Sequence, residues 1–527
     1  MERVAERVIL LSGWRRSLVS FIAGGFAALA QPPFDFFAAC FVSFPVLVWL
    51  LDGAVGDGRG LRALALPAFK TGWWFGFGYF MLGLWWIGNA LLVDAGNFAW
   101  AVPLAIVGLP AFLAIFYGFA ALFARFLWSG GILRIVSLAF FFGVSELIRS
   151  VIFTGFPWGS IGYAAMPTLL SMQSAKVFGL VGMNFLAVLV FSMPALLGTR
   201  RHLLVGSITA IGLVTIQFTY GYLSLSRESA ADKFLPVRIV QPSIKQTEKW
   251  DSLEQTRIFN ILLDLTRRQV ADGGAKPKLI VWPETAVPFL FTDRPEALVQ
   301  LGEALDEGQM LLTGAVRAEG GDGLGATRYY NSVVAIAQDG TIVDAVDKVH
   351  LVPFGEYVPF ANLLNNIGIE EIVQSAGPFT AGGARRPITV EEGTRVMPFV
   401  CYEIIFPHLV ADAADQSDIL LNVTNDAWFG VSPGPYQHFR QARVRAVESG
   451  LPLLRAANSG ISAVIDSSGR VVEAFDLNAV GNLDVRMPIQ KREKLYFENP
   501  GTNGMFIAFG FGAVLFGASI VRRLRAN

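Results

Sequence analysis

The sequence predicts two structures in one chain: a polytopic α-helical membrane bundle of eight transmembrane helices, and an α/β layered sandwich outside the membrane. Three observations predict it. Of 527 residues, 53% are hydrophobic, 16% are charged, and mean hydropathy is +0.49, whereas ordinary soluble domains carry about 25% charged residues. The charge is also uneven: residues 17–222 hold 14 Asp, Glu, Lys and Arg, about 7%, and residues 223–503 hold 61, about 22%. Finally, the poor part divides into apolar segments, while the richer part alternates short apolar runs with amphipathic ones. Lys and Arg balance Asp and Glu at 42 each. With no basic run of the nucleic-acid type, a nucleic-acid partner is not expected.

Seven apolar segments come first, near 17–32, 35–51, 68–93, 98–125, 134–152, 168–198 and 203–223; an eighth, 504–521, follows the charged region. A helix needs roughly 20 apolar residues to cross a bilayer, and the first two segments are short. The first is expected to remain as a helix rather than be cleaved, because a second apolar segment follows at once. Orientation follows from the basic residues of the short loops. Arg3, Arg7, Arg15 and Arg16 precede the first helix; Arg59, Arg62 and Lys70, then Arg125 and Arg134, then Arg200 and Arg201 occupy every second connection; Arg522, Arg523 and Arg525 follow the last helix. The other connections carry Asp35 and Asp94. Both termini are therefore expected inside and the charged region outside. Trp73, Trp74, Trp85 and Trp86 fit an interfacial belt. Glu146 and Arg149, three apart on the fifth helix, can pair with each other or mark a functional site.

The membrane domain is thus read as 1–223, a linker as 224–236, the outer domain as 237–503, and the last helix with its basic tail as 504–527. In the outer domain, strands are predicted at 237–241, 279–282, 310–316, 331–337, 341–347, 395–401 and 419–423, with further strands through 453–466. Helices are predicted at 253–270, 294–305, 407–414 and 436–449. Asp339-Gly340 joins two of the strands as a tight turn. Strands covered by helices make a layered α/β sandwich.

The chain has two cysteines, Cys40 in the second helix and Cys401 outside. A single outer cysteine has no disulfide partner in its own domain, so it is either an apolar filler or a nucleophile. Three predicted strands run into polar side chains: L-I-V-W-P-E reaches Glu284, V-D-A-V-D-K reaches Lys348, and V-M-P-F-V-C reaches Cys401. Separately, each fits a solvated loop or a packed thiol. Converging, they form a chemically complete set in which a carboxylate removes the thiol proton, an ammonium stabilises negative charge, and sulphur attacks a carbonyl.

V-W-P-E-T (281–285), D-K-V-H-L-V-P-F-G-E-Y-V-P (347–359) and F-V-C-Y-E-I-I-F-P (399–407) resemble the Glu-Lys-Cys motifs of the nitrilase, or carbon–nitrogen hydrolase, superfamily. Together with the helical frame, G-F-P-W (155–158) and N-V-T-N-D-A-W-F-G (422–430), they look like its membrane-bound apolipoprotein N-acyltransferase family. The resemblance implies a nitrilase-like αββα sandwich with Glu284 as general base, Lys348 as charge stabiliser and Cys401 as nucleophile. It further implies Glu356 as a second glutamate orienting the Lys, Tyr402 and Glu403 as supporting residues (the Tyr402 N–H an oxyanion donor), and Trp250 and Trp428 on arms around the site.

The implied reaction moves an acyl chain from a phospholipid donor, through a thioester on Cys401, to the α-amine of a diacylated apolipoprotein. It requires no metal or organic cofactor. It also implies a multi-pass protein of the bacterial inner membrane, in contact with the lipid bilayer, with a periplasmic catalytic domain; a monomer is expected. Phe360, Leu363, Leu364, Ile367 and Ile369 read as an apolar lid or as an ordinary buried helix. Three alternatives stay open. One is a membrane-anchored amidase hydrolysing a small amide; another is a transporter or receptor whose outer domain only binds ligand. The third pairs Cys401 with His350, His408 or His438; the four histidines of the chain lack zinc-ligand spacing.

Overall fold

The computed structural model describes residues 2–56, 61–198, 202–227, 231–271, 274–320, 327–359, 378–490 and 500–526. They fall into two compact units: Met1–Gly88, Trp100–Glu228 and Lys494–Asn527 in one, Asn89–Ala99 and Ser229–Glu493 in the other.

The first unit is helical. Among the described residues, five helices are long and apolar enough to cross a membrane: Arg62–Leu92, Ala95–Phe126, Ala175–Gly198, Leu203–Ser226 and Pro500–Ala518. Gly13–Ala28 and Cys40–Asp52, with 16 and 13 residues, are shorter. Ile132–Arg149 has 18 residues but carries Arg134, Glu146 and Arg149. Small residues set the packing. A Cβ on Gly24 would lie 1.8 Å from the Phe75 carbonyl oxygen, and one on Gly78 would lie 2.0 Å from that of Phe21. Two helices therefore touch backbone to backbone, a contact that apolar surroundings favour through dispersion alone.

Glu146 and Arg149, both buried in this unit, form an ion pair. Arg149 donates to Glu146, to the Phe156 carbonyl, to the Trp158 carbonyl at 2.9 Å and to Ser160 Oγ at 3.2 Å. The Tyr117 hydroxyl donates to the other Glu146 oxygen at 2.5 Å. The pair thus fixes the G-F-P-W loop against two helices, and burial of both charges is supported by hydrogen bonds. Trp86 departs from the belt reading: it is 1% exposed and packs on Trp158 with ring centroids 5.0 Å apart.

The second unit holds two six-stranded sheets. Strands β1 (Lys233–Gln241), β2 (Leu279–Val281), β3 (Met310–Glu319), β4 (Arg328–Ala337), β5 (Ile342–Asp347) and β12 (Gly481–Ile489) form one sheet, in the order β12-β1-β2-β3-β4-β5. The other contains β6 (Ile388–Thr389), β7 (Arg395–Val400), β8 (Ile419–Thr424), β9 (Leu453–Ala457), β10 (Ala463–Ile465) and β11 (Val471–Ala474), in the order β11-β10-β9-β8-β7-β6. Strands β1–β3 and β7–β9 run parallel at the centre of their sheets.

Val237, Leu279, Val281 and Val333 of the first sheet share a core with Val396, Ile419, Leu421 and Leu454 of the second. The opposite side chains of the first sheet, Ile280, Leu311 and Ile336, pack on Phe259, Leu262 and Leu301 of the helices Gln255–Arg267 and Pro295–Ala304. Each such side chain, fully buried, contributes about 1.5–3 kcal/mol. Helices Pro407–Ala414 and Pro433–Ser449 accompany the second sheet.

Strand β12 was not expected from the sequence. It pairs antiparallel with β1, and opposite Arg238 stands Asp484, bound through two contacts of 2.6 and 2.7 Å. Arg238 is 2% exposed, so losing its partner leaves a buried charge. Asp484→Ala is expected to destabilise the outer unit by about 3 kcal/mol, and joint replacement by Arg238→Met and Asp484→Leu to restore most of that. Urea melts of the three variants check it; equal losses in the single and double variants would contradict the role of the pair.

Candidate active site

Glu284, Lys348 and Cys401 follow the carboxyl ends of β2, β5 and β7, where ligands of α/β sheets gather. Two of those strands belong to one sheet and the third to the other, so face-to-face packing is what brings the residues together. At the first end, β2 runs through buried Trp282 and Pro283 into Glu284, and Thr285 takes φ +41°. Gly314 on β3 makes room: a Cβ there would lie 2.5 Å from the Glu284 Cα. The Gly314 N–H donates to the Pro283 carbonyl at 3.1 Å, and its carbonyl accepts from Ala286 at 2.8 Å.

The carboxylate of Glu284 is held at both oxygens. Asn331 Nδ2 donates to Oε1 at 2.8 Å, and the Asn425 N–H donates to Oε2 at 2.9 Å. Lys348 Nζ stands 3.8 Å from Oε1. The ammonium is 1% exposed and binds Glu356, with 2.9 Å to Oε1 and 2.8 Å to Oε2. Glu356 is itself braced by Asn331 Nδ2 at 3.1 Å and the Val352 N–H at 2.8 Å. Asn331 thus ties the two carboxylates, and its own carbonyl accepts the Lys348 N–H at 2.7 Å.

Cys401 is half-buried and has φ +51° at the start of a tight turn, Cys401–Ile405. Such a conformation is costly for a residue with a Cβ and persists only when its surroundings enforce it. Glu403 supplies one constraint. Its Oε2 accepts from the Val400 N–H at 2.8 Å; its Oε1 accepts from the Val349 and His350 N–H groups at 2.9 Å each, and from Arg385. One buried carboxylate therefore joins the nucleophile turn to the lysine segment. Tyr402 is buried, its ring against Phe406 at 4.9 Å and facing His350 at 6.0 Å.

The electrostatics follow from burial and charge. Burial raises the Glu284 pKa, and the Glu356 charge raises it further, with Lys348 opposing. Burial and the Glu284 charge raise the Cys401 thiol as well. For Lys348, burial alone would favour the neutral amine, but Glu356 and Glu284 outweigh it and hold the ammonium. Burial and the Glu284 charge thus both disfavour the Cys401 thiolate, the form that reacts as a nucleophile, and the Lys348 charge opposes them.

A second lysine, Lys249, is 2% exposed and donates to the Glu284 carbonyl and to Thr285 Oγ1, both at 3.1 Å. Burial lowers it to about 8, with Glu284 and Cys401 opposing. Trp250 and Trp428 are half-buried and flank residues of the site: Trp250 follows Lys249, and Trp428 lies three residues after Asn425. Sequence reasoning missed Lys249, Asn331 and Asn425. Asn425 stood inside a quoted motif; Lys249 and Asn331 carried no signal, since a carboxamide on a strand and a lysine on a short helix have no chemical pattern of their own. His350 lies beside the turn through Tyr402 and Phe406. The apolar residues Phe360, Leu363, Leu364, Ile367 and Ile369 lie outside the described residues.

Residues 236–494 match the carbon-nitrogen hydrolase family, and residues 23–193 match the apolipoprotein N-acyltransferase N-terminal domain. The chain is 55% identical over 504 residues to the apolipoprotein N-acyltransferase of Brucella suis biovar 1, covering 95% of this chain and 94% of that one. It is 54% identical over 491 residues to that of Rhizobium rhizogenes, covering 92% of each. Among solved structures, an amidase from Nesterenkonia sp. aligns with 50% of this chain and 95% of its own at 18% identity and a TM-score of 0.36.

The charges around Cys401 make a prediction of opposite signs. Glu284→Gln removes a negative charge that raises the thiol pKa, and Lys348→Met removes a positive charge that lowers it. At pH 8, about half a unit below an ordinary thiol pKa, alkylation of Cys401 by iodoacetamide is expected to speed up in the first variant and slow down in the second. Changes of the same sign would contradict this electrostatic picture.

Proposed function

The chain belongs to the apolipoprotein N-acyltransferase family within the carbon–nitrogen hydrolase superfamily, and on that premise we propose that Glu284, Lys348 and Cys401 carry both halves of an acyl transfer. The chain transfers an acyl group to the α-amine of the N-terminal diacylglyceryl-cysteine of an apolipoprotein. In the first half, Glu284 takes the Cys401 proton as the sulphur attacks an acyl ester of a phospholipid. Lys348 and backbone amides, among them the Tyr402 N–H, hold the negative oxygen of the tetrahedral intermediate. Glu284 then protonates the departing lysophospholipid oxygen and leaves a thioester. In the second half, the acceptor amine attacks that thioester with Glu284 again as base, and the products are an amide and free thiol, a ping-pong course. A thioester suits the second step because amines attack it more readily than an oxygen ester.

The observation that carries this reading is the Glu284 carboxylate held at both oxygens with the buried Lys348 ammonium 3.8 Å away, and Cys401 within range of both charges. Glu356 orients that ammonium, Glu403 holds the two chain segments in register, and Trp250 and Trp428 bind acyl chains on arms at the site. The substrates are lipids, which gives the helical unit its purpose. Eight helices, including the short pair at Gly13–Ala28 and Cys40–Asp52, span the bacterial inner membrane with both termini in the cytoplasm. The charge-poor part and the last helix form the membrane domain, and the charge-rich part is the catalytic domain, in the periplasm. The basic residues of alternate loops support this orientation. The amidase reading needs the same three residues but leaves the helical unit without a task.

The test is a single-turnover assay with phospholipid vesicles carrying a labelled acyl chain. The wild type is expected to accumulate label on Cys401, Cys401→Ala none, and Glu284→Gln to acylate at least about a hundredfold more slowly, the scale of a lost general base. Since the base works only when deprotonated, acylation is lost as pH falls through the Glu284 pKa. Burial raises that pKa, so the acid limb is expected above the ordinary glutamate value of about 4.3. Lys249→Met removes a charge that lowers the Glu284 pKa, so it is expected to move the limb to higher pH. Unlabelled wild type, or a limb that moves down, would contradict the mechanism.

A further inference from the structure

Beneath the nucleophile turn lies a polar cluster that the chemistry above does not use. The Cys401 carbonyl oxygen lies 3.3 Å from Asn422 Nδ2 and 3.2 Å from His438 Nε2. A carbonyl oxygen only accepts, so both nitrogens donate to it. The other ring nitrogen, Nδ1, lies 3.2 Å from Arg455 Nη2, which donates to it, and 2.9 Å from Asp426 Oδ1, which accepts from the Thr424 hydroxyl at 3.0 Å. Arg455 completes the frame by donating to Asp426 Oδ2 at 2.7 Å, to Asn422 Oδ1, and to the Ile461 carbonyl at 3.1 Å. His438, Asn422, Thr424 and Arg455 are 0% exposed and Asp426 is 1% exposed. Burial would raise the Asp426 pKa, but Arg455 and His438 hold it down at about 2, so it stays an acceptor.

Side chains from β8 and the helix Pro433–Ser449, braced by Arg455 of β9, thus meet at one carbonyl of a residue with φ +51°. We propose that His438 is a positioning residue for the nucleophile: its Nε2–H and the Asn422 amide clamp the Cys401 carbonyl and so hold the left-handed turn that aims the thiol. Asp426 and Arg455 fix the imidazole in the orientation the clamp needs. This rests on the acyl-transfer reading, because aim matters only if Cys401 attacks. It differs from a Cys–His pair, since His438 acts on the backbone of Cys401 and takes no proton from the sulphur.

Side chains of different reach separate the clamp from simple packing. The amide nitrogen of His438→Gln extends to the position of Nε2 and donates to the carbonyl; that of His438→Asn reaches only as far as Nδ1. Full-length protein in phospholipid vesicles is assayed for single-turnover acylation of Cys401, with thermal melting alongside. His438→Asn is expected to lower the maximal rate at least about tenfold at unchanged half-saturating donor, and His438→Gln to return within about threefold of wild type. Asn422→Asp, which keeps an acceptor for Arg455 but loses the donor to the Cys401 carbonyl and to the Phe399 carbonyl at 3.0 Å, is expected to slow acylation in the same way beyond any loss of melting temperature. This variant decides the matter if neither His438 variant folds. Wild-type rates in His438→Asn or Asn422→Asp, or equal losses in the Asn and Gln variants that track their melting temperatures, would overturn the proposal. Absence of label on the wild type would instead overturn the acyl-transfer reading.

Discussion

The site depends on one buried ammonium. Lys348 lies among two carboxylates and a thiol with almost no access to water, and burial alone would drive its proton off. Glu356 and Glu284 reverse that preference. Without it, two carboxylates tied to the same asparagine would face each other in a low-dielectric site, where like charges drive one of them to take up a proton. The same cation opposes the rise of the Glu284 and Cys401 pKa values. The proton equilibria of Glu284 and Cys401 therefore answer to one cation.

Holding that ammonium requires the whole αββα arrangement. Glu284 and Lys348 come from the first sheet, Cys401 from the second, and the core between the sheets is what places them. The remaining ties cross segments: Asn331 joins two carboxylates, Glu403 joins the lysine segment to the nucleophile turn, and Asn425 at the end of β8 secures Glu284. Glu403 and Asn425 are buried polar groups with their hydrogen bonds made, as low-dielectric surroundings demand. The helical unit carries fewer charges. Glu146 and Arg149 pair with each other and fix a loop.

Much of this is legible in the sequence because the signals are local. Strands that stop at Glu284, Lys348 and Cys401 show as apolar runs ending in a reactive group, and helix periodicity marks the covering layers. What the sequence hid is non-local. Strand β12 lies far from β1 in the chain, and its pairing rests on Arg238 meeting Asp484 across 246 residues. Asn331 and Lys249 reveal themselves only through what they touch. His438 read as a histidine without a motif, because its function is to hold a backbone carbonyl rather than a substrate atom. Trp86 shares the composition of an interfacial belt yet packs inside against Trp158. Apolar runs do not show the breaks inside a helix: the run near 68–93 passes from the helix Leu61–Leu84 through a tighter turn at Trp85–Ile87 into the short helix Gly88–Leu92.

The central claim is that one carboxylate serves as base for both halves of the transfer. Its most direct test is a chase of the isolated acyl-enzyme with a diacylated lipopeptide across a range of pH. The account predicts that label leaves Cys401 as an amide on the peptide α-amine, with an acid limb that moves with Lys249→Met as the acylation limb does. Release of the label to water as free fatty acid at the same rate with and without peptide, or a chase indifferent to that substitution, would contradict it.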